Sequence, residues 1–404
     1  MTAQPIATDH ALAELMAVEM AHTSGAYTKR PISLVRGAGS VLWDADGNHY
    51  IDCIAGQGVA NVGHNHPAIT AAVQEQLTQL MICNEAYFNE QRARFLQSLT
   101  ARTPGDLNRV FLCNSGTEAV EGAIKVARFF TGRSEMVAHQ RGYHGRTMGS
   151  LSLTWNPKYR ERFQPLLDGV THVPLNDLPA MTKAVTDRTA AVVVEIIQGE
   201  GGIWLADRDY LHALRRLCDD TGALLVFDEV QTGIGRTGSF LACDQMDVIP
   251  DILTLGKALA GGMPVGATIW RDALGTLAPA SHGSTFGGNP MACVAGSAVM
   301  RVLDEEGLPD RAARIGRQLL EDLKGLNSPS IREVRGRGLM IGIDLRQRVG
   351  PVIKALMGKG ILASPAGTTV VRLLPHLNIP EENLALVVER IGEVLHDLGR
   401  KSHA

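Results

Sequence analysis

This chain has no long apolar run, no excess of charge of one sign and few cysteines, and each shortage excludes a class of function. Its 39 Lys and Arg against 42 Asp and Glu leave a formal net charge of -3. No polybasic stripe therefore argues for nucleic acid, and anionic membranes are mildly disfavoured. The six cysteines, at 53, 83, 113, 218, 243 and 293, are scattered without a CxxC and without the density of a secreted scaffold. Reduced packing residues are expected. No apolar stretch reaches membrane-spanning length. The opening MTAQPIATDHALAELMAVEM carries acids rather than a basic region followed by an apolar core, so no signal peptide is expected and the cytoplasm follows by default. What is plentiful is core-forming material. Hydrophobic residues make up 45% of the 404, enough for two domains or one large domain with a satellite, and small metabolites are the expected partners.

The chain divides by pattern. Residues 1–63 carry turn-rich short strands such as GSVLWDADGNHYID, with Asp46-Gly47 as a hairpin turn. From about Pro67 to Ile269, strand-like runs at Val110 to Leu112, Glu135 to Ala138, Ala190 to Ile196, Ala223 to Phe227 and Ile252 to Leu255 alternate with helical patterns. That alternation predicts an α/β layer around a mostly parallel sheet, occupying residues 64–290. Residues 291–404 continue a long helical segment, PMACVAGSAVMRVLDEEG, into strand candidates at Gly338 to Leu345 and Thr369 to Leu373 and a final amphipathic helix. This tail is expected to complete a small domain begun at the amino terminus.

Two residues stand out against that background. Ala223 to Phe227 reads as a buried parallel strand that delivers Asp228 at its carboxyl end, where open α/β sheets bind ligands. Lys257 follows a second such strand and precedes Gly261 and Gly262, which let backbone pass close to a ligand. Alone, an acid after an apolar run is common and a lysine among apolar residues usually reaches solvent. Together they look like the working parts of a pyridoxal 5'-phosphate site. A pyridine draws electrons from a substrate carbon only while its nitrogen is protonated, which needs a carboxylate, and its aldehyde must be held by a lysine. A GxGxxG at Gly233, Gly235 and Gly238 lacks the following amphipathic helix and the spaced acid of a dinucleotide site.

Other segments supply what such a cofactor requires. CNSGTEAVEGAIKVARFF follows a strand and puts Ser115, Gly116 and Thr117 at a helix start, where N–H groups and hydroxyls can cradle a phosphate, although any helix can open on a Ser or Thr cap. In RGYHGRT, Tyr143 can stack on a ring and Arg146 can grip a carboxylate. VVVEIIQGEGG sets Glu195 and Glu200 at another strand end, and VVRLLPHLNI carries Arg372 in an apolar run. A buried arginine must be paired, and a glutamate able to release it when a diacid arrives is one solution. The HNH at His64 to His66 has no third clustered ligand in the sequence, so a turn histidine is expected there and no metal.

From the GHNHP turn at Gly63 to Arg372 these motifs resemble the class III (subgroup II) pyridoxal-phosphate-dependent aminotransferases of fold type I. The resemblance implies a large domain with a mostly parallel seven-stranded sheet, a small α/β domain formed by both termini, and a homodimer with shared active sites. It also implies roles. Lys257 looks like the lysine that carries the cofactor, Asp228 the partner of the ring nitrogen, Gln231 the neighbour of the ring hydroxyl, and Val230 the packing behind the ring. Ser115, Gly116 and Thr117 match the phosphate turn, Tyr143 the stacking aromatic, and Thr285 in HGSTFGGNP the residue that reaches the neighbouring subunit's phosphate. Glu200 resembles a switch glutamate, Arg372 the arginine for the α-carboxylate of glutamate or 2-oxoglutarate, and Arg146 the arginine for a carboxylate far from the reacting amine. Overall the chain looks most like enzymes acting on acetylornithine or on lysine bound to a small amino-carrier protein of the LysW type, with Lys158, Arg160 and Arg162 as a candidate carrier rim. A 4-aminobutyrate aminotransferase is the second choice, and a cofactor-holding regulatory or structural protein would be a different class. Gln57 stands where ornithine aminotransferases carry tyrosine, and His376 where RLLPP is more usual.

Overall fold

The computed structural model describes residues 9–401. The first eight residues, on which part of the amino-terminal reading rests, and the last three lie outside that range. Seven strands build the central sheet in the spatial order Leu107–Cys113, Gly266–Arg271, Ile252–Leu255, Leu224–Asp228, Thr189–Val194, Glu135–His139, Val170–Val173. Neighbours pair in parallel except at Gly266–Arg271, which runs antiparallel to both strands beside it. The expected mostly parallel sheet is therefore present.

The continuous apolar runs have a simple cause: both faces of the sheet are covered. In Leu224–Asp228, Leu225 and Phe227 enter one core while Leu224 and Val226 enter another, as the two-residue repeat of a strand requires. Helix Gly116–Thr131 covers one face with Val120, Ala123, Ile124 and Ala127. Helices Arg208–Thr221 and Pro290–Glu305 cover the other with Leu211, Leu214 and Val299. Gly222, at φ 70°, ends the helix before the central strand in the left-handed region that favours glycine.

Two smaller sheets flank the large one. Val41–Asp44 and His49–Asp52 form the hairpin expected around Asp46-Gly47, and His49–Asp52 then pairs in parallel with Ile361–Leu362. The second sheet, antiparallel, runs Ile331–Arg337, Met340–Leu345, Val370–Leu373, Ser364–Ala366. Helix Leu308–Gly325 packs on it and on helix Glu381–Lys401.

Several strands escape the sequence reading, among them Val170–Val173, Gly266–Arg271 and Ile331–Arg337 and the shorter Leu34–Ala38, Trp204–Leu205, Ile361–Leu362 and Ser364–Ala366. One expectation needs correcting, since the run from Ala190 to Ile196 is not a single strand. It leaves the sheet after Val194, and Ile197–Gln198 pairs instead with Trp204–Leu205. The break falls at Glu195, whose carboxylate accepts from the Tyr143 N–H at 2.8 Å and the Gly199 N–H at 3.0 Å. Among the described residues no helix is long and apolar enough to cross a membrane. All six cysteines are free, and five of them are buried.

Candidate active site

The strands Leu224–Asp228 and Ile252–Leu255 lie side by side, with Asp228 opposite Thr254, so their carboxyl ends bring Asp228 and Lys257 to one cleft of about 270 Å³. Asp228 is buried and tightly held. Its Oδ1 accepts from the Val230 N–H and the Thr254 hydroxyl, both at 3.1 Å, and its Oδ2 accepts from His144 Nδ1 at 2.7 Å. Burial opposes protonation of His144, but the Asp228 hydrogen bond and charge, with Glu195 adding, outweigh it and raise its pKa above the ordinary value. The His144 Nε2 is buried without a partner. Glu195, a neighbour of this pair, is pushed up to about 7 by burial, with His144 opposing and Asp228 adding.

Lys257 opens a short 3-10 turn with φ 45°, a left-handed backbone that a side chain adopts only when its surroundings impose it. Among the described residues its amine has no hydrogen-bond partner. Enclosure in the cleft lowers its pKa, the Arg372 guanidinium lowers it further, and Glu200, Asp228 and Glu195 pull the other way. The result is an amine more readily deprotonated than a free lysine, which a nucleophile or general base requires.

The helix Gly116–Thr131 begins beside this amine. Ser115 is its N-cap, with Oγ accepting from the Glu118 N–H at 3.3 Å. A Cβ on Gly116 would come within 2.5 Å of Val230 Cγ1, so only glycine lets the helix start sit against the valine. The Thr117 hydroxyl faces the following loop: it lies 2.6 Å from Ser150 Oγ and accepts from the Arg146 N–H at 3.2 Å. The Gly116 and Thr117 N–H groups and the helix dipole remain for an anion. Carboxylate, enclosed amine and helix start together fit a pyridine bearing an aldehyde and a phosphate.

Arg372 closes the opposite side. It is fully buried, and its four polar partners come from four segments: Glu200 Oε1 at 2.5 Å, Gln57 Oε1 at 2.8 Å, Ser364 Oγ at 3.2 Å and Gln231 Oε1 at 3.3 Å. Gln57 sits at φ 70°. Arg146 behaves differently. It is exposed, donates to the Tyr143 hydroxyl at 3.2 Å, and lies 3.7 Å over the Tyr159 ring.

Of the residues singled out from sequence, Ser115, Gly116, Thr117, Tyr143, Arg146, Glu200, Asp228, Val230, Gln231 and Lys257 line the cleft. Arg372 reaches it through Glu200 and Gln231. Thr285 does not join them within this chain: it is exposed and lines a separate cleft with Phe111, Asn114 and Phe286. Sequence reasoning missed His144, although GYHGRT displayed it, and gave Glu195 no part in holding Tyr143. It also found no third ligand for the HNH turn. The fold supplies Asp52 and His376 beside His64, while His66 turns away to cap its helix and meet Glu306 at 2.9 Å.

Comparison with known proteins agrees with this geometry. The sequence model of the family described as Aminotransferase class-III matches residues 23–395. The [LysW]-aminoadipate semialdehyde transaminase of Deinococcus radiodurans is 45% identical over 387 residues, covering 95% of this chain and 90% of that protein. The acetylornithine aminotransferase of Methanopyrus kandleri is 46% identical, covering 92% and 96%. The solved ornithine aminotransferase of Toxoplasma gondii, described with pyridoxal phosphate at partial occupancy in its active site, superposes with a TM-score of 0.93 at 32% identity, covering 97% and 96%.

Proposed function

The chain belongs to the class-III aminotransferases, and from that premise we propose that it moves the terminal amine of N-acetylornithine, or of lysine carried on a small LysW-type protein, to 2-oxoglutarate, giving glutamate. Its cofactor is pyridoxal 5'-phosphate. The observation that carries the substrate reading is the contrast between two arginines. Arg372 is buried and held by Glu200 and Gln57, whereas Arg146 stands exposed on an aromatic pair at the mouth. A donor whose acid group lies far from its amine meets Arg146 and leaves the Arg372–Glu200 pair closed. Glutamate brings a second carboxylate close to the reacting carbon, displaces Glu200 and takes Arg372. The relatives named for acetylornithine and for LysW-bound substrates support the same choice.

When bound, the protonated ring draws electrons from the carbon that bears the amine. In our reading Asp228 keeps the ring nitrogen protonated, and His144 and Thr254 fix the carboxylate that does so. Lys257 Nζ would hold the cofactor at rest and, once displaced by the incoming amine, would take the proton from the substrate carbon and deliver it two atoms away, on the far side of the nitrogen. Ser115, Gly116 and Thr117 would receive the phosphate, Tyr143 would stack on the ring, Val230 would pack behind it, and Gln231 would neighbour its hydroxyl. Thr285 would serve the phosphate of a second copy, in a homodimer with shared sites. Its own exposure and that of Phe286 and Phe88 support this, since large apolar side chains are seldom left to water. We assign residues 64–290 to the cofactor domain, 1–63 to the small domain, and 291–404 to a linking helix followed by the rest of the small domain. Six unpaired cysteines suit the cytoplasm.

Rapid mixing of the holoenzyme with glutamate, N-acetylornithine, carrier-bound lysine and 4-aminobutyrate tests the proposal through the cofactor's visible absorption. Fast loss of the band with glutamate and with one of the two acylated donors is expected. A response to 4-aminobutyrate with none to either donor would overturn the substrate reading.

A further inference from the structure

Glu200 sits near the tip of a short hairpin. Gln198 pairs with Trp204, and the loop between them runs Gly199, Glu200, Gly201, Gly202, Ile203. A loop so rich in glycine is poorly suited to hold a side chain still. Glu200 is nevertheless set against Arg372, and the group that steadies the loop lies outside the cofactor cleft.

That group is Arg335, only 7% exposed. Its Nε donates to the Gly202 carbonyl at 3.0 Å and the Ile203 carbonyl at 3.1 Å, and its Nη2 to the Gly202 carbonyl at 2.6 Å. The guanidinium lies 3.7 Å over the Trp204 ring, and Nη1 meets the Glu333 carboxylate at 2.7 Å. Ile203 is fully buried and held at φ 59°, a conformation that a β-branched residue adopts only when its surroundings force it. It packs so closely on the strand Met340–Leu345 that a Cβ on Gly342 would come within 2.9 Å of the Ile203 Cβ.

Strand register joins these contacts into one device. Arg335 pairs with Gly342, Gly342 with Arg372, and Arg372 with Ser364, across four neighbouring strands. Residues directly opposite each other share a face of the sheet. Along that row Arg335 takes the loop's carbonyls, Gly342 receives Ile203, and Arg372 receives Glu200. An arginine that only stapled the hairpin to the sheet could stand in any row. This one stands in the row of the substrate arginine and grips the carbonyls two and three residues past the glutamate.

We propose that Arg335 is a positioning residue that fixes the backbone under Glu200, so that Glu200 covers Arg372 in one half-reaction and yields it in the other by side-chain motion alone. The inference rests on the reading above that glutamate displaces Glu200. Arg335 itself does not line the cleft. With the clamp released, closing the ion pair must also order the loop, which weakens the pair. The acylated donor reacts with the pair closed and suffers, whereas glutamate reacts with it open and does not.

The test uses Arg335→Lys in the full-length holoenzyme, which keeps the charge but loses the planar fork that spans two carbonyls. Its kcat/KM should fall roughly tenfold in the N-acetylornithine half-reaction and hold in the glutamate one. A second readout needs no amino donor. Lys257 is faced by Arg372, Glu200, Asp228 and Glu195. A Glu200 that drifts away withdraws its pull and bares the guanidinium, so cofactor recapture by the apoenzyme should rise at lower pH in Arg335→Lys, as in Glu200→Gln, and no lower in the double variant. An unmoved pH profile overturns the clamp, as do displacements that add in the double variant, or equal losses with both donors where Glu200→Gln is selective. A Glu200→Gln enzyme with an unaltered donor ratio would count against the division of substrates, and the pH profile then decides on Arg335 alone. The cofactor band verifies folding. Should Arg335→Lys fail to hold cofactor, Trp204→Leu, which removes the platform under the guanidinium, takes its place with a smaller displacement in the same direction.

Discussion

The cleft has two walls built on different principles. The Asp228 wall belongs to adjoining strands of one rigid sheet, and its hydrogen bonds join groups that have no competing use: Thr254 and His144 serve Asp228 alone. The Arg372 wall is assembled from segments far apart in sequence, and its central contact is an ion pair between Arg372 and a partly exposed Glu200. A group needed equally in both halves of a transamination can be fixed permanently. A group that must bind one substrate and ignore the other has to be held by something a substrate can displace.

Substitutions on the fixed wall should therefore damage both half-reactions alike. Lys257→Ala is expected to have the largest effect, slowing turnover by about 10⁴-fold or more with both amino donors, because the general base is gone. Asp228→Asn should retain some cofactor yet lose roughly 10³-fold in kcat, again with both donors, since a neutral amide cannot keep the ring nitrogen protonated. Single-turnover rates with glutamate and with N-acetylornithine check both predictions. A variant of Asp228 that failed with only one donor would dissolve the distinction between the walls.

The same division explains what could be read from the chain beforehand. Asp228, Lys257 and the Ser115 turn were legible because each ends or begins a regular element, and continuous apolar strands announce where a covered parallel sheet presents its carboxyl ends. The antiparallel strand Gly266–Arg271 was missed because burial on both faces erases the alternation that marks most antiparallel strands. The partners of Arg372 were legible only in part. A buried arginine demands a counter-charge, but Gln57, Ser364 and Gln231 reach it through tertiary folding that no local pattern encodes. The neighbours of His64 escaped for the same reason, His376 lying 312 residues along the chain.

On the displaceable wall the losses should be selective. Arg372→Ala is expected to cost the glutamate half-reaction about 10²-fold in kcat/KM, the worth of a two-pronged charge-assisted contact, and the acylated-amine half much less. Arg146→Ala should do the reverse and by less, about 10-fold, because its guanidinium is exposed and screened. Measuring both half-reactions for each variant gives a crossed pattern. Parallel losses would mean that the arginines do not divide the substrates.

The smallest and sharpest effect concerns Lys257, because both partners of the ion pair act on its charge. Enclosure is the first cause of its lowered pKa and is common to all variants; Arg372 lowers it further, while Glu200 raises it. Recapture of cofactor by the apoenzyme requires the neutral amine, so the rate rises with pH through the Lys257 pKa. Removing the guanidinium in Arg372→Ala relieves repulsion of the ammonium, raises that pKa and moves the rising limb to higher pH. Glu200→Gln removes an attraction, lowers the pKa and moves the limb to lower pH. Opposite displacements of the pH–rate profile are thus expected from substitutions of two residues that touch each other, whereas a purely structural disturbance of the wall would move both the same way.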